Sequence, residues 1–187
     1  AMNKLNNEDN NILDLAHVLT ASGEAFAYAT VIRTAGATSA KPGAKAIISS
    51  EGHILKGWIG GGCIRTSVAT ATITAIRTGA PQLISVMPQD VIDEIGISIG
   101  DEYEGKKVSK NGCPSEGTVD IFIEPHTPPP QLIIYGKAPV AEALKKLAPQ
   151  FGWEVKIANE DVEPSISSKL VVMVVATQGL SLIHISE

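Results

Sequence analysis

The chain is poor in aromatic residues: three Phe, two Trp and three Tyr among 187, or 4%. Base-stacking platforms for nucleic acid are therefore scarce. Nor is basic charge in excess. Fifteen Lys and Arg stand against 20 Asp and Glu, for a net charge of −5, which argues against a nucleic-acid or anionic-membrane surface. There are only two Cys, too few for a disulfide framework. The four His, at 17, 53, 126 and 184, fall in no zinc-type spacing with them. No apolar run reaches the length of a membrane span. The start, Ala1-Met2-Asn3-Lys4-Leu5-Asn6-Asn7-Glu8-Asp9, lacks the apolar stretch of a signal peptide, so the expected compartment is the cytoplasm. What remains is 44% hydrophobic and 19% charged, the composition of a globular protein of one domain or two small ones.

The most informative stretch is Gly57-Trp58-Ile59-Gly60-Gly61-Gly62-Cys63. Three consecutive glycines free the backbone and remove every side chain that would block a ligand, at the largest entropic cost on folding. An apolar run, Ile54 to Ile59, precedes them, and Ile64, Val68, Ala71 and Ala75 follow at helical spacing. The expectation is strand, glycine loop, helix, with Cys63 at the first turn. Unpaired N–H groups and the positive end of the dipole favour an anion there, and a thiol so placed tends toward thiolate. Arg65 adds positive charge. This reads as a reactive or ligand-binding Cys beside a phosphate or oxyanion cradle. The competing reading is a small buried Cys behind a tight turn.

Upstream, residues 1–11 are polar and Asn-rich and are expected to fray. Ile12 to Leu19 form a short amphipathic helix carrying His17, and Ala25 to Thr34 form a strand. The loop Ala35 to Gly43 holds small and hydroxyl residues with Lys41, flanked by Arg33 and Lys45, a mixture able to take a phosphate. Ala44–Ser49 and the run after His53 make a hairpin that delivers the chain to the glycine loop. Downstream, the helix stops at Gly79, and Leu83–Met87 is a strand. Gln89 to Asn111, with Asp90, Asp93, Glu94, Asp101, Glu102 and Glu104, lacks calcium-loop spacing and reads as a solvated face. Gly112-Cys113-Pro114-Ser115-Glu116-Gly117 opens an alternating strand, Thr118 to Glu124. Were that strand to lie beside Ile54–Ile59, both Cys loops would open at one edge. Two Cys so placed could form a disulfide, share a soft metal or relay sulfur.

Pro125-His126-Thr127-Pro128-Pro129-Pro130 is a stiff linker and the clearest boundary. Beyond it come a buried-type strand (131–136), a helix (140–150) with Val140, Ala143, Leu144 and Leu147 on one face, and strands at 153–158 and 170–176, the start of a doubly wound parallel sheet. Its first turn, Gly136-Lys137-Ala138-Pro139-Val140-Ala141, keeps one glycine of the dinucleotide fingerprint. Ala138 crowds the pyrophosphate position, although Asn159-Glu160-Asp161 offers acids where a ribose partner belongs. NAD(P) binding is therefore a minor alternative.

Gly60-Gly61-Gly62-Cys63, Arg33-Thr34-Ala35-Gly36-Ala37-Thr38-Ser39 with Lys41-Pro42-Gly43-Ala44-Lys45, and Gly117-Thr118-Val119-Asp120-Ile121-Phe122-Ile123-Glu124-Pro125 together resemble the XdhC/CoxI family, accessory factors of xanthine dehydrogenase and aerobic carbon monoxide dehydrogenase. Cys113-Pro114-Ser115-Glu116-Gly117 is similar to the CoxI-like branch. The resemblance covers about residues 12 to 179. It implies an α/β protein: an α+β N-terminal glycine-Cys domain with a mixed sheet over 12–125, the linker 126–130, and a partial Rossmann-like doubly wound parallel sheet over 131–187. That last part is expected to be truncated, with a non-native tail over 180–187. It implies a cytoplasmic chaperone, not an enzyme, that binds molybdenum cofactor (molybdopterin), favours its sulfuration and passes it to a molybdenum hydroxylase apoenzyme. A cysteine desulfurase is a candidate partner and a homodimer is expected. The implied cofactor residues are Gly60, Gly61, Gly62, Cys63, Arg65, Cys113, Arg33 and Lys41, with Cys63 toward the metal. The alternative is a Rossmann-type NAD(P)-dependent oxidoreductase or a Cys63-dependent sulfur-transfer enzyme, whose general base would be His53 or His126.

Overall fold

The structure is a computed structural model. It describes residues 2–112, 117–158, 166 and 170–177, without the side chains of 2–10 and Cys63. Cys113, Asn159-Glu160-Asp161 and the 180–187 tail lie outside the described residues. The chain forms two compact units, Ala1–Thr127 and Pro128–Glu187.

The first unit is built on a seven-stranded mixed sheet in the order β3-β2-β1-β7-β4-β6-β5. Its strands are β1 (Phe26–Ala35), β2 (Lys45–Ser49), β3 (Ile54–Gly57), β4 (Gln82–Met87), β5 (Glu102–Tyr103), β6 (Lys106–Lys110) and β7 (Thr118–His126). Helix α1 (Met2–Ser22) precedes β1, α2 (Gly62–Thr78) joins β3 to β4, and α3 (Gln89–Ile95) follows β4. The polar start expected to fray is helical from Met2, where Met2 and Leu5 continue the helical spacing of Ile12, Leu15 and Leu19.

Alternation along the strands splits the core between the two faces. Ala27, Ala29 and Val31 of β1, Ile84 and Val86 of β4, and Val119, Ile121 and Ile123 of β7 pack with Ile64, Val68, Ala71 and Ala75 of α2. Phe26 and Ile47 turn the other way and meet Ile12, Ala16 and Leu19 of α1. Met87 and Val108 meet Ile92 of α3 on that second face. The Thr-rich α2 is thus held by packing, and Gly79 ends it in the left-handed conformation at φ 69°.

The region 89–111 is more than a solvated face. Its six acids are exposed as expected, but β6 within it pairs parallel to β4. The strand from Thr118 does not neighbour β3 either. It pairs with β1 and β4, and β2 and β1 lie between it and β3. β1, β3, β4 and β6 finish, and β2 and β7 begin, at one end of the sheet, which holds the glycine loop together with Asn111 and Gly117; residues 113–116 between those two lie outside the described residues.

The second unit holds a three-stranded parallel sheet, β10-β8-β9, from β8 (Gln131–Tyr135), β9 (Glu154–Ala158) and β10 (Val171–Val175), with α4 (Pro139–Leu147) after β8. Third, first, second is the strand order of flavodoxin-like doubly wound sheets. The buried face of α4 differs from the expected one. Ala141 and Leu144 pack with Leu132, Ile134 and Ala176, while Val140 and Leu147 are exposed. The Ala138 N–H donates to the Ala176 carbonyl at 3.2 Å and fixes this rotation of the helix.

Candidate functional site

Three loops converge at the end of the first sheet. After β3 the chain turns at Gly57 and Gly60, with φ of 85° and 135°. A Cβ on Gly60 would lie 2.6 Å from Ile64 Cδ1 and 3.3 Å from Ala40 Cβ, so Gly60 must be glycine and the 36–44 loop sits against it. Ala40 is held there by its N–H to Thr38 Oγ1, 3.2 Å. Gly117 presses on the same loop from the third side. Its Cβ would fall 2.5 Å from the Ala37 carbonyl oxygen. Asn111, buried at the end of β6, donates from Nδ2 to the Gly117 carbonyl at 3.1 Å. One turn into α2, Ser67 is tied to β6 by a 2.8 Å hydrogen bond from the Ser109 hydroxyl.

The N-terminus of α2 emerges in the middle of this arrangement. Its N-cap, Gly61, is extended and gives no side-chain cap. Gly61 and Gly62 are exposed and neither has a positive φ. A Cβ on Gly62 would meet nothing within 4 Å, and one on Gly61 only Ser39 Oγ at 3.8 Å. Packing thus requires the first glycine of the run and neither of the other two. Cys63 belongs to the first turn of this 17-residue helix, where N–H groups without intrahelical partners point outward. Arg65 is exposed on the same turn, and Lys41 is exposed in the loop that carries Ala40.

Arg33 is not brought to this cluster. A β-bulge between Val31 and Arg33 inserts one residue against β7. That slip turns Arg33 from the α2 face, which Val31 occupies, to the other face. There its Nη1 lies 3.5 Å from Asp120 Oδ2. Asp120 is 2% exposed. It accepts a 2.5 Å hydrogen bond from the Ser85 hydroxyl and one of 3.2 Å from Lys106 Nζ. This buried network escaped the sequence reading. Its one signal was an Asp in the middle of an apolar strand.

The two histidines weighed as bases stand elsewhere. His53 lies at the β2–β3 turn, beside Glu51 at 3.5 Å, at the start of β3 and not its end. His126 ends β7, stacked on Phe26 with ring centroids 4.8 Å apart and 3.2 Å from Thr20 Oγ1. The nine residues of β7 put it about 26 Å along the strand from Thr118, at ~3.3 Å per residue. Among the described residues no group of three or more His, Cys, Asp or Glu is placed to hold a metal, and no helix is long and apolar enough to cross a membrane.

In the second unit, ligands of doubly wound sheets bind where the strand order reverses, here between the ends of β8 and β10. There the main chains of the two strand ends approach closely. Gly136, at φ 99°, lies so close to Ala176 that a Cβ would overlap its carbonyl oxygen. The Ala138 N–H is already used there, and Pro139, first in α4, has none. A pyrophosphate finds few donors at this turn, which argues against the dinucleotide reading.

An uncharacterized protein of Escherichia coli (strain K12), YqeB, is 24% identical over 145 residues, covering 75% of this chain and 24% of that protein. The chain thus spans about a quarter of that relative's length. A solved structure described as a xanthine dehydrogenase from Bacillus halodurans aligns over 86% of this chain and 67% of its own, at 15% identity and a TM-score of 0.40. Residues 19–87 match the XdhC and CoxI family, a segment that runs from the end of α1 through the glycine loop and α2 to the end of β4. Over that segment the chain is similar to the XdhC and CoxI family.

Proposed function

We propose that this chain is an accessory factor of a molybdenum hydroxylase that binds molybdenum cofactor at the start of α2 and supports its sulfuration and insertion. The observation that carries the reading is the pair Gly61 and Gly62. They are glycine where neither φ nor packing asks for it, at an uncapped and exposed helix N-terminus. Gly61 suits an N-cap, but at Gly62, inside the helix, glycine costs stability, and a ligand approaching the backbone closely accounts for the choice. The outward N–H groups suit the phosphate of the cofactor, and Arg65 and Lys41 supply charge beside it. Arg33, committed to Asp120, is left out of the cradle. Cys63 suits a soft metal or a sulfur atom in transit. Cys113, which lies outside the described residues, is the second thiol of the proposal. The recipient is a molybdenum hydroxylase apoenzyme, and a cysteine desulfurase is the proposed sulfur source. The positions of His53 and His126 favour binding over Cys–His catalysis.

The test separates folding from binding. Gly62→Ala is expected to keep the melting temperature or raise it slightly, because replacing glycine at a compatible position stabilises by about 0.4–1 kcal/mol. The same variant is expected to lose at least tenfold in equilibrium affinity for molybdenum cofactor, measured anaerobically under reducing conditions. Cys63→Ala is expected to weaken binding several-fold. Unchanged affinity in both variants would move the site elsewhere, and no binding by the folded wild type would overturn the reading.

A further inference from the structure

Immediately before the cradle stands a large side chain that packing does not explain. Trp58 is 47% exposed, although its main chain is fixed. Its N–H donates to the Lys45 carbonyl at 3.0 Å, and Gly57 before it is locked against Lys45 and Ala46. Beside it opens a pocket of about 340 Å³ lined by Asn11, Lys56, Gly57 and Trp58, within the size range of small-molecule sites. Its lining combines an aromatic face, an amide able to donate and accept, a cation and a stretch of bare main chain. Three residues of chain, at most about 11 Å, separate Trp58 from Gly61.

We propose that this pocket between α1 and the end of β3 receives the ring of the ligand whose anionic group sits at Gly61–Gly62: a planar, amide-edged bicyclic heterocycle of the pterin type. The indole of Trp58 stacks on the ring, Asn11 pairs with its amide edge, and Lys56 favours an electron-rich, negatively polarised heterocycle. The inference rests on the cradle reading above and extends it, because it makes ring recognition a property of residues outside the glycine motif. A free phosphate would use the cradle alone, whereas a pterin bearing an anionic substituent would use both.

The experiment uses Trp58 as its own reporter. The chain has two tryptophans, so Trp153→Phe leaves Trp58 as the single indole emitter. Pterin-6-carboxylate absorbs where indole emits, and its titration is expected to quench Trp58 saturably. Affinity read from the pterin's own fluorescence anisotropy should fall at least tenfold in Trp58→Ala, be largely kept in Trp58→Phe, and fall several-fold in Asn11→Ala. Guanosine 5′-monophosphate, a purine with an anionic tail, should bind at least tenfold more weakly than the pterin. Absence of quenching, or pterin binding indifferent to Trp58→Ala, would overturn the inference. Equal or tighter binding of the purine would overturn the assignment to a pterin. The two readings fail separately. Cofactor affinity that depends on Gly62 but not on Trp58 leaves the cradle and removes the ring pocket. Pterin quenching untouched by Gly62→Ala retains a ring site and removes its link to the cradle.

Discussion

Asp120→Ala is expected to cost about 3–5 kcal/mol, the usual penalty for stranding one member of a buried ion pair. Asp120 is the hub for three side chains, Arg33, Ser85 and Lys106. Lys106, only 8% exposed, has its ammonium 3.2 Å from Asp120 Oδ2 and 3.3 Å from Glu104. Without Asp120 that ammonium keeps only Glu104, whose side chain is 62% exposed and holds a charge weakly. The Ser85 hydroxyl, fully buried, loses its acceptor as well. Against a typical stability of about 5–15 kcal/mol, a loss of this size brings the first unit close to unfolding and lowers its melting temperature by roughly 10–20 °C. The control is Asp120→Leu with Lys106→Met, which removes both charges and keeps the volume. Apolar replacement of whole buried pairs is often neutral or stabilising, so the double variant is expected to recover most of the loss. Urea unfolding measures both. A single-variant cost below about 1 kcal/mol, or a double variant no better than the single, would contradict this account of the network.

The same network shows where the sequence stops being readable. Local grammar carried the hairpin β2–β3, the glycine loop and α2 with its stop at Gly79, because turn residues and helical spacing act over a few positions. It also carried β8, α4 and β9 in order. Long-range pairing was invisible. β6 reads Lys106-Lys107-Val108-Ser109-Lys110, a solvated segment by composition, and becomes a strand because β4 offers it an apolar parallel neighbour. Arg33 is the sharpest case. Read along β1, it shares a face with Ala29 and Val31 and would point to the α2 side. A single extra residue against β7 reverses that, and no local signal in Thr30-Val31-Ile32-Arg33 announces it. For the candidate site the division is similar. Gly60, Gly61 and Gly62 were visible as a run, but only the geometry distinguishes the one that packing requires from the two that it does not.

Gly57→Ala is expected to do to the fold what Gly62→Ala does not. At φ 85° an L-residue is strained, at about 1–3 kcal/mol for an unfavoured backbone region. The added Cβ would overlap the Lys45 carbonyl oxygen and fall 2.9 Å from Ala46 Cα and 3.1 Å from Ile12 Cδ1. The first two contacts are main chain and cannot swing aside, and overpacking of this kind costs about another 1–3 kcal/mol. β3 would have to leave β2, breaking the bond from the Trp58 N–H to Lys45 and the pairing of Gly57 with Ala46. Because β3 is an edge strand held on one side only, the break should stay local. Amide exchange in β2 and β3 is expected to accelerate strongly while β7, in the middle of the sheet, stays protected. Trp58 and the glycine loop hang from that edge, so molybdenum cofactor binding should be lost together with β3. A Gly57→Ala protein with native stability, or with lost stability but intact binding, would detach the cradle from the strand that presents it. One methyl group at Gly57 and the same methyl at Gly62 thus have opposite expected consequences for folding. Both are expected to weaken the proposed binding, the first by displacing the site and the second by occupying it.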